Sequence, residues 1–286
     1  MIPPVRILSD LHLGHRVSRI ASVASLRPLI AGAGTVIFNG DTWQELARPF
    51  RERSAEMLEE LRQLCAEEGA EPIFLSGNHD PGWTEGWVEL AGGRILVTHG
   101  DAFFAEGSPW SRESFTRHDQ VRELWERHRA AEGDPAARIA LAREIAIVLR
   151  AAEYPKGKRL WQRALDAVRP PRRAFEMLRV WATQADAAAD FAEKYFPKAQ
   201  IVVKGHFHRS GIWWKRGKLI VNLGAFMNPC GAWWAEFDGS HFRCGRVEEG
   251  VDTRMGEVLG AWRLTGAAGH AQSFSGTTRP SPGFEG

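Results

Sequence analysis

The chain has 286 residues, of which 44% are hydrophobic and 25% are charged. This balance is typical of a globular protein with a substantial buried core, and one large domain, or a domain with an insertion, accounts for the length. The formal net charge of +2 gives no electrostatic signature of a nucleic-acid-binding protein. Three unevenly spaced cysteines form no disulfide framework and agree with a reducing compartment. Without a secretory signal or an apolar run near the ~18 residues that cross a bilayer, we expect a cytoplasmic protein.

Short apolar segments alternate with helical patterns in the first hundred residues. Four segments are rich in β-branched residues and are followed by Gly, Asn or Asp, which predicts buried strands at Val5–Leu8, Val36–Phe38, Ile73–Leu75 and Ile95–Val97. The segments Val17–Ala31 and Phe50–Glu68 have the spacing of amphipathic helices. This alternation predicts an α/β fold with a largely parallel sheet.

The pattern changes between residues 108 and 197, where the sequence predicts no strand. Asp134-Pro135 is a typical helix start, whereas Tyr154-Pro155 and Arg169-Pro170-Pro171 are typical breaks. We therefore predict helices over 113–131, 135–152, 158–168 and 172–196. A helical block of this size within an α/β chain is interpreted as an insertion that caps one end of the sheet.

Strand patterns return after the helical block. They lie at Ile201–Val203, Leu219–Leu223, Trp233–Phe237 and Phe242–Val247, and Asp238-Gly239 predicts a hairpin between the last two. A short helix near 254–264 and a disordered tail are expected beyond them. The predicted domains are a core of 1–107 and 198–250, a helical cap of 108–197 and a C-terminal extension of 251–286, partly disordered.

Five of the predicted strands are followed by side chains that bind metals. The residues are Asp10 and His12, Asp41, Asn78, His99, and His206 and His208. In open α/β sheets the functional crevice lies beyond the carboxyl ends of the strands, so these loops can converge. Mixed His, carboxylate and amide donors suit Mn, Fe, Zn or Mg. In each Asp-x-His or His-x-His pair, an extended backbone would point both side chains the same way.

In this order, the pieces Asp10-x-His12, Gly40-Asp41, Gly77-Asn78-His79-Asp80, His99 and Gly205-His206-x-His208 resemble the calcineurin-like metallophosphoesterase superfamily. The resemblance covers about residues 5–100 and 200–225. It implies a metallophosphoesterase-type α/β/β/α sandwich with a helical insertion, two divalent metal ions with Mn²⁺ expected, and a hydroxide that bridges the metals and attacks phosphorus in line.

The resemblance also implies a role for each matched residue. Asp10, His12 and His208 would hold one metal, Asn78, His99 and His206 the other, and Asp41 would bridge them. His79 would act on the scissile group, oriented by Asp80 or Asp10, and we take His79 and Asp80 as the candidate catalytic pair.

Within the superfamily, three features are similar to the UDP-2,3-diacylglucosamine pyrophosphatases of lipid A synthesis: the run Ser9–Gly14, His99-Gly100-Asp101, and a helical insertion between His99 and His206. This likeness implies a lipid-linked nucleotide as the phosphate-ester substrate and a peripheral membrane contact through the cap. His79 departs from the arginine of those enzymes, whereas general phosphatases keep the histidine. The sequence is therefore also compatible with a general phosphomonoesterase or phosphodiesterase, with a nuclease and with a non-catalytic scaffold.

The helical block contributes candidate substrate contacts. Arg169, Arg172 and Arg173 are expected to gather a phosphate group through bidentate hydrogen bonds, although a solvated helix face would show the same charges. The block also holds Trp110, Trp125, Trp161 and Trp181, which either line a pocket or pack between helices.

Overall fold

The computed structural model describes residues 1–150, 171–250 and 253–264, together with the backbone of 272–273. The strands are β1 (Val5–Leu8), β2 (Thr35–Asn39), β3 (Glu71–Leu75), β4 (Trp87–Leu90), β5 (Ile95–Thr98), β6 (Ile201–Lys204), β7 (Gly211–Lys215), β8 (Lys218–Asn222), β9 (Trp233–Phe237), β10 (His241–Glu248), β11 (Arg254–Arg263) and β12 (Gln272–Ser273). The described helices are α1 (Arg27–Ile30), α2 (Arg51–Glu67), α3 (Arg112–Thr116), α4 (His118–Arg127), α5 (Pro135–Val148) and α6 (Pro171–Tyr195). None of these helices is both long and apolar enough to cross a lipid bilayer.

The strands form two mixed sheets. The first has the order β12-β11-β10-β9-β1-β2-β3, in which β1, β2 and β3 are parallel and β9 runs antiparallel to β1. The second has the order β4-β5-β6-β8-β7, in which β5, β6 and β8 are parallel and both edge strands are antiparallel. The predicted parallel strands are confirmed, and antiparallel strands extend both sheets.

Three apolar cores bind the layers together. Alternate residues of a strand point to opposite faces, so Ile7 packs between the two sheets while Leu8 packs outward against the helices that cover the first sheet. On the outer face of the second sheet, Leu96, Val202 and Ile220 pack against a row of small residues from α5 and α6. The layers therefore follow the order α/β/β/α, as predicted.

The helical block lies between β5 and β6 in the sequence, and its helices also contribute to this packing. Asp134 caps α5, because its carboxylate accepts the N–H groups of Ala136 and Ala137, and Pro135 is the first helical residue. The predicted helix 172–196 is α6, and the predicted helix 158–168 lies outside the described residues. The predicted division into core, cap and extension stays a prediction, although α5 and α6 form the outer layer of the second sheet.

Two helix predictions are wrong. Only Val23–Leu26, as a 3-10 turn, and α1 are helical within Val17–Ala31. Pro28 lies in the first turn of α1, because proline has no N–H to donate and fits only at the start of a helix.

The predicted helix near 254–264 is the ten-residue strand β11. Gly256 and Gly260 weaken a helix, and β10 offers this segment antiparallel partners along most of its length, with two register shifts near Gly245. Its last residues bring Trp262 against Phe242, at 5.9 Å between ring centroids, inside the core between the sheets.

We also missed two edge strands of the second sheet, β4 and β7. Both are short and only partly buried, so neither shows the clean alternation of polar and apolar residues that predicts a strand.

Trp262→Ala is expected to lower the free energy of unfolding by about 3–5 kcal/mol, because it empties a site in the core between the sheets. Val258→Ala on the same strand, where the side chain is 47% exposed, is expected to change it by less than about 1 kcal/mol. Urea unfolding of both variants tests this. Equal effects would contradict the placement of β11 as a core strand.

Candidate metal centre

Seven polar side chains meet where parallel strands of both sheets end. The loops after β1, β2 and β3 of the first sheet and after β5 and β6 of the second carry them. Two groups of donor atoms result, each with its atoms within 4.8 Å of one another: Asp10, His12, Asp41 and His208, and Asp41, His99 and His206. The structure thus brings together the side chains that the sequence predicts as ligands, and Asp41 belongs to both groups.

In the first group Asp10, His12 and Asp41 are buried, whereas His208 is partly exposed and lines the cleft. His208 Nε2 lies 3.2 Å from Asp10 Oδ1 and 3.3 Å from His12 Nε2, and His12 Nε2 lies 3.7 Å from Asp41 Oδ2. Although burial opposes it, hydrogen bonds with Asp10 and Cys230 raise the pKa of His208 to about 10. A proton is thus held strongly where a cation would bind, and a cation would have to displace it.

The second group contains His99, which is fully buried. Its Nδ1 lies 3.0 Å from the Asn39 carbonyl oxygen, which can only accept, so Nδ1 carries a hydrogen. Its Nε2 faces Asp41 Oδ1 and Asn78 Oδ1, both at 3.4 Å. Burial opposes a charge on His99, but Asp41 raises its pKa well above the usual range. Three acceptor atoms that face one another require a positive charge between them, and either a proton or a metal cation supplies it.

His206 is oriented by the loop that precedes the helical block. Its Nε2 lies 3.2 Å from the carbonyl oxygen of Gly107, so Nε2 donates and Nδ1 keeps its lone pair. The hydrogen bond thereby selects the ring nitrogen that is available to a cation. Trp110 packs beside the ring, with 5.1 Å between centroids.

The donor set fits divalent cations such as Mn, Fe, Zn or Mg. Imidazole, carboxylate and amide atoms converge in two adjacent groups, and one carboxylate is shared. Carbonyl partners at Asn39 and Gly107 fix two of the imidazole rings in the tautomer that a metal needs.

The backbone at these side chains is strained. Five of the seven residues have positive φ: Asp10 at 54°, His12 at 47°, Asp41 at 50°, His206 at 67° and His208 at 52°. The backbone of the Asp-x-His and His-x-His pairs is therefore not extended, so the side-chain directions of an extended strand do not apply to them. Left-handed conformations of this kind are unfavourable for residues with a Cβ and are found where function requires a particular side-chain direction.

The glycines next to the candidate ligands are required chiefly because side chains of the site approach their Cα atoms closely. Gly40 has φ of 74°, as expected for a sharp turn, and a Cβ there would lie 2.5 Å from the His99 ring. A Cβ on Gly77 would lie 2.4 Å from Asp41 Oδ1, and one on Gly205 would lie 2.0 Å from Asp10 Oδ2. At Gly77 and Gly205 the neighbouring carboxylate, and not a positive φ, excludes a side chain.

Asp80 is a buried group that orders the loops, and its predicted catalytic role stays a prediction. Its carboxylate accepts the backbone N–H groups of Asp41, Thr42, Trp43 and Gly77 at 2.8–3.3 Å, and the Trp83 indole N–H at 3.3 Å. The side chain is fully buried and does not face the cleft. Asp80 therefore ties the loop that carries Asn78 to the loop that carries Asp41.

His79 lies at the rim of the site, with 33% of its side chain exposed. Its backbone N–H donates to Asp41 Oδ1 at 2.8 Å, and its Nε2 lies 4.0 Å from Asp41 Oδ2. Neither Asp80 nor Asp10 orients the ring as predicted. Gln44 does so, with Oε1 2.9 Å from His79 Nδ1, and Gln44 also contacts His12. Burial lowers the pKa of His79, which favours the neutral ring.

Sequence reasoning missed Gln44 and Cys230. Gln44 follows Asp41 by three residues but belongs to none of the motifs. Its neutral amide side chain gives no signal of a metal ligand, so the sequence does not single it out. Cys230, one of the three unevenly spaced cysteines, contacts His208 from the loop between β8 and β9.

A cleft of about 300 Å³ opens over the two groups. Asp41, Asn78, His79, His206 and His208 form its floor, and most of the other lining residues belong to the helical block. Trp110 belongs to this lining, whereas Trp125 and Trp181 donate their indole N–H groups to the carbonyls of Ala105 and Phe207.

Of the three arginines predicted to bind substrate, only Arg173 lines the cleft among the described residues. Arg173 Nε donates to the Trp110 carbonyl at 2.8 Å, and Arg172 lies over the Phe115 ring at 5.3 Å. Arg169 and Trp161 lie outside the described residues. Arg112 and Arg150 also line the cleft and were not predicted.

No model of a protein family matches this sequence, and no curated protein does. Solved structures with a similar arrangement include zinc-complexed Vps29 from Entamoeba histolytica, at 13% identity, covering 94% of this chain and 97% of that one, with a TM-score of 0.40. A predicted phosphoesterase from Streptococcus pneumoniae has 16% identity, coverage of 94% and 95%, and a TM-score of 0.36. A cold-active protein-tyrosine phosphatase from a Shewanella species has 12% identity, coverage of 86% and 78%, and a TM-score of 0.40. Structural similarity at such low sequence identity assigns no activity to this chain, and only the geometry of the site supports a function.

Gly205→Ala is expected to remove at least one equivalent of bound Mn²⁺, because its Cβ would displace the Asp10 carboxylate. Metal content after Mn²⁺ loading and desalting measures this. Gly133→Ala is the matched control, since a Cβ there meets no atom within 4 Å. Full metal content in Gly205→Ala would contradict the proposed place of Asp10 in the first group.

Asp80→Asn is expected to destabilise the metal-free protein by at least about 3 kcal/mol, because the new amide N–H₂ would face backbone donors that now bind a carboxylate. Urea unfolding tests this, with the exposed Asp190→Asn as control. Unchanged stability with lost turnover would instead support the catalytic role first predicted for Asp80.

Proposed function

We propose that this protein is a two-metal phosphoester hydrolase of the calcineurin-like metallophosphoesterase type. The observation that carries the proposal is the pair of donor groups that share Asp41 at the floor of a cleft, with His79 at its rim. A shared carboxylate holds two cations close together, which is the arrangement that suits in-line displacement at phosphorus.

In this proposal each side chain has a defined task. Asp10, His12 and His208 would hold one cation, Asn78, His99 and His206 would hold the other, and Asp41 would be shared by both. When bound, the two cations lower the pKa of a water molecule and neutralise charge on the phosphoryl oxygens. Mn²⁺ is the expected metal, since the donors are imidazole, carboxylate and amide without thiolate.

His79 is proposed as the group that meets the leaving oxygen. Among the histidines of the centre, His79 has the most exposed side chain, and it lines the cleft. Its backbone N–H donates a hydrogen bond to Asp41. A neutral imidazole with a hydrogen on Nε2 can donate that hydrogen to a phosphoryl oxygen or to the departing alkoxide.

The cleft lining supports a phosphate ester with an apolar portion. Ala142, Ile145, Ala146 and Leu149, all from α5 and the residue after it, form an apolar part of the lining, and Arg112, Arg150 and Arg173 supply cationic groups. This combination is compatible with a UDP-2,3-diacylglucosamine-type pyrophosphatase, in which an acyl chain would pack on the apolar part.

A general phosphomonoesterase or phosphodiesterase is the second candidate, because His79 occupies the place where the lipid A enzymes carry arginine. A nuclease is less well supported. Asp101, Glu106 and Glu113 also line the cleft, so its charge does not form the continuous basic groove that a nucleic acid backbone requires.

Asp41→Asn is expected to lower kcat by at least about 100-fold, because neither cation keeps its shared ligand. Turnover is measured with Mn²⁺ on a panel of phosphomonoesters, phosphodiesters, UDP-diacylglucosamine and single-stranded DNA. His99→Ala should behave alike, and Asp119→Asn on the exposed face of α4 is the control.

Wild-type turnover in Asp41→Asn or His99→Ala would overturn the two-metal assignment. No turnover by the metal-loaded wild type on any class of the panel would favour a scaffold instead. Preferential hydrolysis of UDP-diacylglucosamine would select the pyrophosphatase, and efficient cleavage of simple esters would select the general phosphatase.

A further inference from the structure

Gln44 connects a ligand of the first group to the proposed acid. Gln44 is fully buried beside the rings of His12 and His79, which contact each other edge to face with centroids 4.8 Å apart. Gln44 Nε2 lies 2.9 Å from His12 Nδ1, and Gln44 Oε1 lies 2.9 Å from His79 Nδ1. The Gln44 backbone N–H donates to Ser54 Oγ, which donates to the Leu13 carbonyl, so the residue is held at both ends.

The two ends of this amide impose tautomers on the two histidines. An amide nitrogen only donates and an amide oxygen only accepts. In the orientation just described, His12 Nδ1 accepts, so a neutral His12 carries its hydrogen on Nε2. His79 Nδ1 donates, so a neutral His79 has no hydrogen on Nε2.

This orientation conflicts with both proposed tasks. His12 Nε2 is the atom that lies 3.7 Å from Asp41 and 3.3 Å from His208 Nε2, and it cannot bind a cation while it carries a hydrogen. His79 needs a hydrogen on Nε2 to act as a donor towards the cleft. The two requirements are therefore linked through the orientation of a single amide group.

A half-turn of the terminal amide of Gln44 removes both conflicts. Oε1 would then accept from His12 Nδ1–H, which leaves a lone pair on His12 Nε2. The Gln44 N–H₂ would donate to His79 Nδ1, which leaves the hydrogen on His79 Nε2. The nitrogen and oxygen exchange places, and the 2.9 Å spacing suits either order.

We propose that Gln44 is a positioning residue that couples cation binding at His12 to the presence of a hydrogen on His79 Nε2. The proposal rests on the proposed function, since it takes His12 as a ligand. A cation at the first group selects the amide orientation in which Oε1 faces His12, and that orientation makes His79 a donor towards the cleft. The protein thus holds its acid in the active tautomer when the metal is bound.

The coupling requires one donor and one acceptor on the same side chain. Gln44→Glu offers two acceptors, so His12 keeps the tautomer that binds a cation while a neutral His79 is drawn to the Nδ1–H form. Gln44→Met has similar length and offers neither. The two variants therefore separate the effect on the ligand from the effect on the acid.

The test is long-range ¹H–¹⁵N NMR of protein labelled with ¹⁵N-histidine, with zinc as a diamagnetic probe. In the zinc-loaded wild type we expect the hydrogen of His12 on Nδ1 and that of His79 on Nε2. In zinc-loaded Gln44→Glu, His12 should match the wild type while His79 carries hydrogen on Nδ1. Gln63→Glu on the exposed face of α2 is the control and should change neither ring.

Affinity and kinetics give a second, independent readout. Gln44→Glu should keep zinc affinity within about threefold and lose kcat by about 10- to 100-fold with little change in KM, whereas Gln44→Met should also lose zinc affinity by about 10- to 100-fold. Hydrogen on His79 Nδ1 in the zinc-loaded wild type would overturn the coupling and leave the two-metal hydrolase intact. A wild type that binds no zinc would overturn both.

Discussion

The carboxylate of Asp41 lies between two sets of atoms that all carry lone pairs. Histidine nitrogens, carboxylate oxygens and the Asn78 amide oxygen point at one another across 3.2–4.0 Å in a buried crevice. Such an assembly repels itself unless positive charge lies within it. The surrounding structure is therefore organised to hold these groups together against their mutual repulsion.

The cost of that arrangement appears in the backbone and in the groups around it. Five of the converging residues adopt positive φ, and Gly77 and Gly205 leave room for carboxylates that a Cβ would displace. Asp80 accepts N–H groups from two loops at once, so it fixes the direction in which Asp41 and Asn78 leave their strands. The carbonyl oxygens of Asn39 and Gly107 fix the orientation and the tautomer of the His99 and His206 rings.

The helical block is joined to this centre by more than its position in the chain. It covers the outer face of the second sheet through α5 and α6, it packs Trp110 beside the His206 ring, and it lines the cleft with arginines and aliphatic side chains. The same segment thus contributes to the core, to the packing around a donor and to the surface that a substrate would contact.

The sequence by itself determined which side chains converge and in what kind of fold. Buried parallel strands have a strong apolar pattern, and the polar residue after each strand must lie at the carboxyl edge of its sheet, so Asp10, Asp41 and His206 could be placed from spacing alone. Edge strand β7 and strand β11 could not, because their stability comes from neighbouring strands and not from their own pattern. Only the tertiary structure decided that Asp80 orders loops and that Gln44 joins His12 to His79. Both roles depend on hydrogen bonds between segments about 30 to 40 residues apart, and their geometry leaves no periodic trace in the sequence.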